Sequence, residues 1–234
     1  MPEEKTRFSR ETLNWLLENL FLALTIFVLW HTDIIKPFKT LVVFLHETYH
    51  AIAALLTGGY VKNIAVTSYE SGVTFVAGGI PIVVYSAGYL GTAFTGALMI
   101  AAGRSKNLKQ YFPFIIGALL LLSTILFVRN RYGFIFGLIT GSVFIFLFIK
   151  QFFFLKYITD FVGMMCVIYT IYDFLDFVDS KTNDATLLSH IIKIPAFIIY
   201  STWIIFSIAM FFFAFRFAYR KTLRGSPEYP RQHK

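Results

Sequence analysis

Three residues in the segment LHETYHAIAALLTGG, residues 45–59, have the types and spacing of a metal site. His46, Glu47 and His50 form the pattern His-Glu-x-x-His, and residues four apart on a helix share one face, so both imidazoles can bind one metal ion. A zinc ion held there would activate a water molecule and polarise a carbonyl group. Glu47 would act as general base, taking a proton from the water and passing it to the leaving amine. The segment therefore predicts a zinc hydrolase with Glu47 as the catalytic residue.

The third zinc ligand is expected to be a carboxylate, because two histidines leave a catalytic zinc one protein ligand short. The candidates are Asp173 and Asp176, at the end of one apolar segment, and Asp184, just before the last one. That last segment is about 30 residues long, more than a bilayer crossing needs, and Pro195 interrupts it. Residues 184–194 can therefore fold inward before the full span starts, which favours Asp184. An aspartate at a helix start is also a common cap, so Asp173 stays as the alternative ligand.

The elements that must position these side chains are membrane helices. The chain has 234 residues, of which 57% are hydrophobic and only 15% charged, and that composition predicts an all-α polytopic membrane protein. A helix needs about 20 residues to cross the bilayer core. Six or seven transmembrane helices are expected, because the connection between the fourth and fifth apolar segments is very short. The segments are 12–30, 37–57, 79–102, 111–128, 132–149, 152–174 and 186–216.

Two sequence patterns after the histidine helix predict a β-hairpin and a close contact between helices. Residues 58–79 are bounded by glycine pairs and carry β-branched residues on both sides of YESG, which predicts a short β-hairpin. Strand edges cannot face lipid unpaired, so the hairpin must lie at the interface or against protein. In the next segment, glycines and other small residues recur at four-residue spacing from Ala87 to Gly96, and this spacing predicts a close helix–helix contact.

Charge and cysteine content exclude other classes of protein. The net charge is +8, but the basic residues lie in short runs between apolar segments and in the tail, which is typical of loops next to anionic lipid and not of nucleic-acid binding. Cys166 is the single cysteine, so an intrachain disulfide and a cysteine zinc site are excluded. We expect one multi-pass integral membrane domain over residues 1–234, with polar tails at 1–11 and 217–234, in the plasma membrane.

Several of these motifs together resemble a known family. HETYHAIAALLTGG, the glycine-bounded hairpin, AGYLG, and the late YDFLD and NDA ahead of the last helix are similar to the site-2-protease type of intramembrane zinc metallopeptidases, in particular its small bacterial and fungal branch. The resemblance covers about residues 36–210. The chain departs from the family at Tyr49, where glycine is frequent, and in keeping only NDA of the longer Asn-x-x-Pro-x-x-x-Leu-Asp-Gly motif.

The resemblance implies a set of roles and partners. It assigns zinc binding to His46 and His50, catalysis to Glu47, zinc binding to Asp184 and oxyanion support to Asn183. The hairpin from Val61 to Phe75 is similar to a region proposed to pair with an unwound substrate segment by strand addition. The expected cofactor is Zn²⁺, and the expected partners are a membrane-protein substrate and the lipid bilayer, without nucleic acid.

Two other classes of membrane protein are alternatives to a protease. A membrane di-iron desaturase needs several histidine boxes, and five histidines are too few for them. A non-catalytic polytopic membrane protein, either a pseudoprotease that binds helices or a transporter-like protein with a polar triad, would need no zinc. It would also tolerate Glu47→Gln.

Overall fold

In the part of the chain that the structure describes, the fold consists of helices and one two-stranded sheet. The computed structural model describes residues 10–103, 109–177 and 183–225. The helices of this described part are α1 (Arg10–Leu29), α2 (Lys36–Leu56), α3 (Pro81–Gly103), α4 (Phe112–Phe127), α5 (Arg131–Lys150), α6 (Leu155–Phe177), α7 (Asp184–Ile192) and α8 (Ala196–Gly225). The strands are β1 (Tyr60–Val66) and β2 (Gly72–Ala77), and a short 3-10 helix (Lys109–Tyr111) precedes α4.

The apolar segments correspond closely to these helices. Each of the first six predicted segments coincides with one helix, from α1 to α6, and the boundaries agree within three residues. The seventh is divided, because α7 ends at Ile192 and α8 begins at Ala196. Lys193 takes a left-handed φ of 60° at the end of α7, and Pro195 has no N–H with which to continue the helix. The interruption predicted at Pro195 is confirmed.

The membrane character of the helices follows from their length and composition. Among the described residues, three helices are long and apolar enough to cross a membrane, at Pro81–Ala102, Arg131–Lys150 and Ala196–Tyr219. Shorter apolar helical stretches lie at Leu16–Leu29, Phe112–Phe127 and Tyr157–Tyr172. Many large apolar side chains on these helices are exposed, an arrangement that hydrocarbon tolerates and water does not. A helical membrane protein is therefore supported, whereas the number of six or seven spans stays a prediction.

The histidine helix α2 lies at the centre of the fold. It contacts α3, α4, α6 and both strands, and the run from Leu41 to Leu45 is almost fully buried. Ionisable side chains are costly against lipid, and the elements around α2 shield its polar residues from that contact. This central position explains how an apolar helix can carry His46, Glu47 and His50.

Close helix contacts occur along α3 where small residues were expected. A Cβ added at Gly96 would lie 2.6 Å from the Gly163 carbonyl oxygen, so α3 and α6 are in backbone contact there. A Cβ at Gly91 would lie 2.5 Å from Cγ of Tyr49 on α2, and the Tyr49 hydroxyl contacts the Thr95 hydroxyl one turn further along α3. Gly91 thus makes room for the large residue at position 49.

The predicted hairpin is present as an antiparallel pair. Ile64 of β1 lies opposite Thr74 of β2, and Val66 lies opposite Gly72. The Ile64 and Val66 side chains are fully buried, which fixes the face that the sheet presents to the core. The hairpin follows α2 directly and packs against it, so β2 is held beside the residues of the histidine motif.

The connection between α4 and α5 pairs with the outer edge of β1. Val128 forms a parallel bridge with Ile64, and the Arg129 N–H donates to the Ile64 carbonyl over 3.1 Å. The Asn130 side chain accepts from the Val66 N–H over 3.0 Å and donates to the Val66 carbonyl over 2.6 Å. Since these bonds satisfy the β1 edge, the expectation that no strand edge is left against lipid is met on this side.

Candidate metal centre

Two residues of α2 and one of α7 converge on a single point. His46 and His50 lie one turn apart on α2, and their Nε2 atoms are 3.1 Å and 3.2 Å from Oδ2 of Asp184. Each of the three residues offers one ligand atom, and these atoms all lie within 4.8 Å of one another. Both histidines are buried, so the contact lies inside the protein.

The start of α7 leaves the Asp184 carboxylate free to reach the histidines. Asn183 is the cap of this helix, because its Oδ1 accepts from the Thr186 N–H over 2.9 Å and from the Thr186 hydroxyl over 3.0 Å. Asp184 is the first residue of the helix and has no capping role. The helix cap, which was the alternative role for Asp184, is therefore provided by Asn183.

The distances and the donor set fit a zinc ion. With bonds of about 2.0–2.1 Å, a tetrahedral zinc holds its ligand atoms about 3.3 Å apart, close to the two distances to Asp184 Oδ2. Two imidazoles and one carboxylate are a donor set of hydrolytic zinc enzymes, which keep the fourth position open. We therefore treat His46, His50 and Asp184 as candidate ligands of a catalytic zinc.

Gly88 of α3 keeps the space in front of the histidines open. A Cβ added at Gly88 would lie 2.5 Å from Nε2 of His50 and would also collide with Nε2 of His46. Even the smallest side chain would thus collide with both candidate ligand atoms. The small-residue pattern in α3 predicted helix packing, and at Gly88 the structure places it at the candidate metal centre instead.

The orientation of each imidazole is fixed by a neighbour. Nδ1 of His50 lies 2.7 Å from the Val84 carbonyl, which can only accept, so Nδ1 donates and Nε2 of the neutral ring keeps its lone pair for a metal. The His46 ring packs edge-on against Tyr89 with centroids 4.6 Å apart, and Tyr89 stacks on Trp203 of α8 at 5.1 Å. Residues of α3 and α8 therefore hold the two rings in place.

Glu47 is enclosed by the strand β2. Its side chain is buried, and its Oε2 accepts a hydrogen bond of 2.6 Å from the Thr74 hydroxyl. Gly72 lies against the same carboxylate, since a Cβ there would be 2.6 Å from both Cγ and Oε1 of Glu47. The hairpin thus contacts the residue that sequence reasoning assigns as general base.

A cavity of about 500 Å³ contains these groups. It is bounded by α2, β2, the first turns of α3, the start of α7 and Tyr169 of α6. Its histidine and carboxylate lining residues are His46, His50, Glu47, Glu70 and Asp184, and no Lys or Arg of the described chain lines it. Glu70 is paired with Lys39 over 2.9 Å, which leaves Glu47 and Asp184 as the carboxylates beside the histidines. This charge distribution favours a bound cation.

Asn183 contributes a buried donor to the cavity lining that no described residue accepts from. The Nδ2 atom of Asn183 is buried and makes no hydrogen bond within the described part of the chain, whereas Oδ1 is fixed by Thr186. A buried amide donor without an acceptor is costly, and such groups are frequently found where a ligand supplies the acceptor.

The residues predicted from the sequence and those found in the site overlap in large part. The structure brings His46, Glu47, His50, Asp184 and Asn183 to one cavity. Asp173 and Asp176, the other candidates for the third ligand, lie in the last turns of α6, and their side chains are outside the described part of the structure.

Sequence reasoning does not identify five residues that contact the candidate ligands or Glu47. Gly72, Thr74, Val84, Gly88 and Tyr89 make these contacts across elements, so local spacing does not reveal them. The sequence feature that could have identified these residues is their place in the chain, because the hairpin and the first turns of α3 follow directly after the histidine helix α2.

Replacing Gly88 by alanine is expected to weaken metal binding at least about 10-fold, a loss of the size seen when groups that orient metal ligands are removed. The added methyl group would collide with Nε2 of both histidines. The metal content of the purified variant, titrated with zinc, measures this. Gly96→Ala, on the same helix, is the control because its clash is with Gly163 on α6, so it should lower the Tm and keep the metal. Full zinc affinity in Gly88→Ala would contradict the prediction.

A helical membrane protein whose central helix and α7 form such a site has the features of a membrane metalloenzyme. The family model of the Peptidase M50B-like proteins matches residues 19–214, which is most of the chain and includes every residue of the candidate site. The chain therefore belongs to the Peptidase M50B-like family, and its resemblance to site-2-protease-type metallopeptidases is confirmed. The comparison with curated proteins found no match, and the comparison with solved structures found none. Family membership supports a metallopeptidase in general.

Proposed function

We propose that the protein is an intramembrane zinc metalloprotease that hydrolyses peptide bonds of membrane-embedded substrates. The observation that carries this proposal is the convergence of His46, His50 and Asp184 beside Glu47, in a cavity inside a helical protein. Membership of a metallopeptidase family supports the same reaction class. The apolar helices support a substrate and a site in the membrane.

The roles of the protein groups follow from their chemistry and position. Zinc, when bound, would supply a Lewis acid that activates water and polarises the scissile carbonyl. Glu47 accepts the proton of the attacking water and transfers it to the leaving amine nitrogen. Its burial beside the candidate ligands keeps the carboxylate close to the reacting atoms and away from bulk water.

Asn183 is proposed to stabilise the negative charge that develops on the carbonyl oxygen. Its buried Nδ2 has no acceptor among the described residues, and its Oδ1 is held by Thr186, so the amide plane cannot turn the donor away. A donor positioned before the reaction stabilises an oxyanion without reorganisation. Asn183 is adjacent to Asp184, so one helix start would provide both groups.

The substrate is proposed to bind as an extended segment along β2. Residues opposite each other in an antiparallel pair direct their backbone groups either toward one another or both away. The Ile64 carbonyl accepts from the Arg129 N–H, and the Val66 N–H and carbonyl bond to the Asn130 side chain, so both residues direct their backbone groups away from β2. Their partners in β2, Thr74 and Gly72, therefore direct their N–H and C=O groups away from β1. These groups border the cavity and can pair with an incoming strand.

Metal removal is the test of this function. The purified full chain is expected to contain about one zinc per chain, since three protein ligands and an open position describe a catalytic zinc site. A chelator should stop cleavage of a fluorescently labelled single-span peptide in detergent or vesicles, and added zinc should restore it. Mass spectrometry of the peptide products locates the cleaved bond. Protein that is folded, free of metal and unaffected by zinc would support the non-catalytic alternative.

A further inference from the structure

We propose that Thr74 is a positioning residue for Glu47, so that the strand proposed to bind the substrate also aligns the general base. The inference rests on the proposed function. The Thr74 hydroxyl lies 2.6 Å from Oε2 of Glu47 and 3.0 Å from the Glu47 carbonyl oxygen. A hydroxyl has one proton to donate, and the shorter contact to the charged acceptor is the stronger one. Thr74 therefore donates to the carboxylate.

Glu47 requires such a partner because its terminal torsion is soft. The torsion that turns a glutamate carboxylate is broad and roughly two-fold, so burial alone does not fix the plane of the oxygens. The hydrogen bond from Thr74 holds Oε2, which leaves Oε1 as the oxygen that can accept a proton. A base fixed in this way stays aligned with the attacking water.

The position of Thr74 is itself fixed by the sheet. Its partner Ile64 is fully buried, and the backbone of β1 is held on its other edge by Arg129 and Asn130. Two residues earlier on the same face of β2, Gly72 has no side chain and leaves room for the carboxylate. Gly72 thus leaves space for the Glu47 carboxylate, and Thr74 donates a hydrogen bond to it.

This arrangement couples substrate binding to the base. The N–H and C=O of Thr74 face away from β1 and border the cavity, while its side chain contacts Glu47. A substrate segment paired with β2 would restrain the backbone of the same residue whose hydroxyl aligns the carboxylate. Cleavage of a correctly docked strand is thereby favoured over cleavage of a peptide that only approaches the metal.

Three variants of the full chain test the inference. Thr74→Val removes the hydroxyl and keeps the shape and backbone, so kcat should fall about 10- to 100-fold, as expected for losing a hydrogen bond to a charged group. KM for the same single-span peptide and the zinc content should be unchanged. Thr74→Ser keeps the hydroxyl and should retain most of kcat. Thr67→Val is the matched control, because within the described part of the chain the Thr67 hydroxyl hydrogen-bonds to Ser71 and Tyr69 in the hairpin turn and not to Glu47.

A second readout is independent of activity. Infrared difference spectra between each protein and the same protein with Glu47→Gln isolate the carboxylate band of Glu47. This band should move in Thr74→Val and keep its position in Thr74→Ser and Thr67→Val.

Three outcomes would overturn the inference while the proposed function stands. They are an unmoved carboxylate band in Thr74→Val, a wild-type kcat in that variant, and an equal loss of kcat in Thr74→Ser. If instead the wild type and Glu47→Gln behave alike toward the peptide, the proposed function fails, and the infrared band still reports whether Thr74 holds the carboxylate.

Discussion

Glu47→Gln is expected to retain zinc and to lose about 10²- to 10⁴-fold in kcat, the usual contribution of a general acid–base residue. Glutamine has nearly the same shape, so it keeps the packing against Gly72 and an oxygen for the hydrogen bond from Thr74. It cannot take a proton from water at neutral pH. The candidate ligands His46, His50 and Asp184 are untouched, so metal content should not change.

The measurement pairs zinc analysis with peptide cleavage on the same preparation. Glu18→Gln on α1 is the control, since Glu18 does not line the cavity and its replacement should leave both quantities at the wild-type level. Normal cleavage by Glu47→Gln would refute the general-base mechanism. It would also favour a function in which the polar residues of α2 do no chemistry.

Asp184→Ala is expected to lower zinc affinity by more than about 100-fold, beyond the effect of removing groups that only orient metal ligands. The physical reason is that His46 and His50 would be left as a two-ligand site, with no carboxylate to balance the charge of the ion. His50→Ala should produce a loss of similar size.

Asp173→Ala is the comparison that decides the third ligand. It should keep its zinc, because Asp184 already lies 3.1 Å and 3.2 Å from the two histidines. If Asp173→Ala loses the metal while Asp184→Ala retains it, the ligand assignment moves to Asp173. The oxyanion role proposed for Asn183 would then lose its basis, because that role depends on the start of α7 lying at the metal.

The parts of the fold that could be predicted are those encoded locally. Apolar runs in the sequence identified the first six helices, and the His-Glu-x-x-His spacing placed both imidazoles on one helical face. The glycine pairs around the hairpin and the proline before α8 marked the two interruptions. Asp184 was favoured as the third ligand because the last apolar segment is longer than one membrane crossing, so its first residues can fold inward before the span starts.

The remaining features depend on which elements meet, and no local pattern encodes that. Gly88 belongs to the same small-residue pattern as Gly96, yet one faces two imidazoles and the other faces a neighbouring backbone. Thr74 is an ordinary strand residue until β2 is placed against Glu47. Tyr49 departs from the family pattern, and its fit becomes clear only when Gly91 is seen beneath its ring.

The α4–α5 connection has an unusual consequence for how this chain tolerates changes in length. Surface loops generally accept insertions, because their backbone makes few bonds that depend on spacing. Residues 128–130 are at once the connection between two helices and the strand-like partner of β1, with contacts to both Ile64 and Val66. An inserted residue would shift these contacts out of register and give the sheet a second open edge, so an incoming peptide could dock on the side away from Glu47. This three-residue connection is therefore a poor place for a tag or linker, and its length is tied to the side of the sheet on which we propose that the substrate binds.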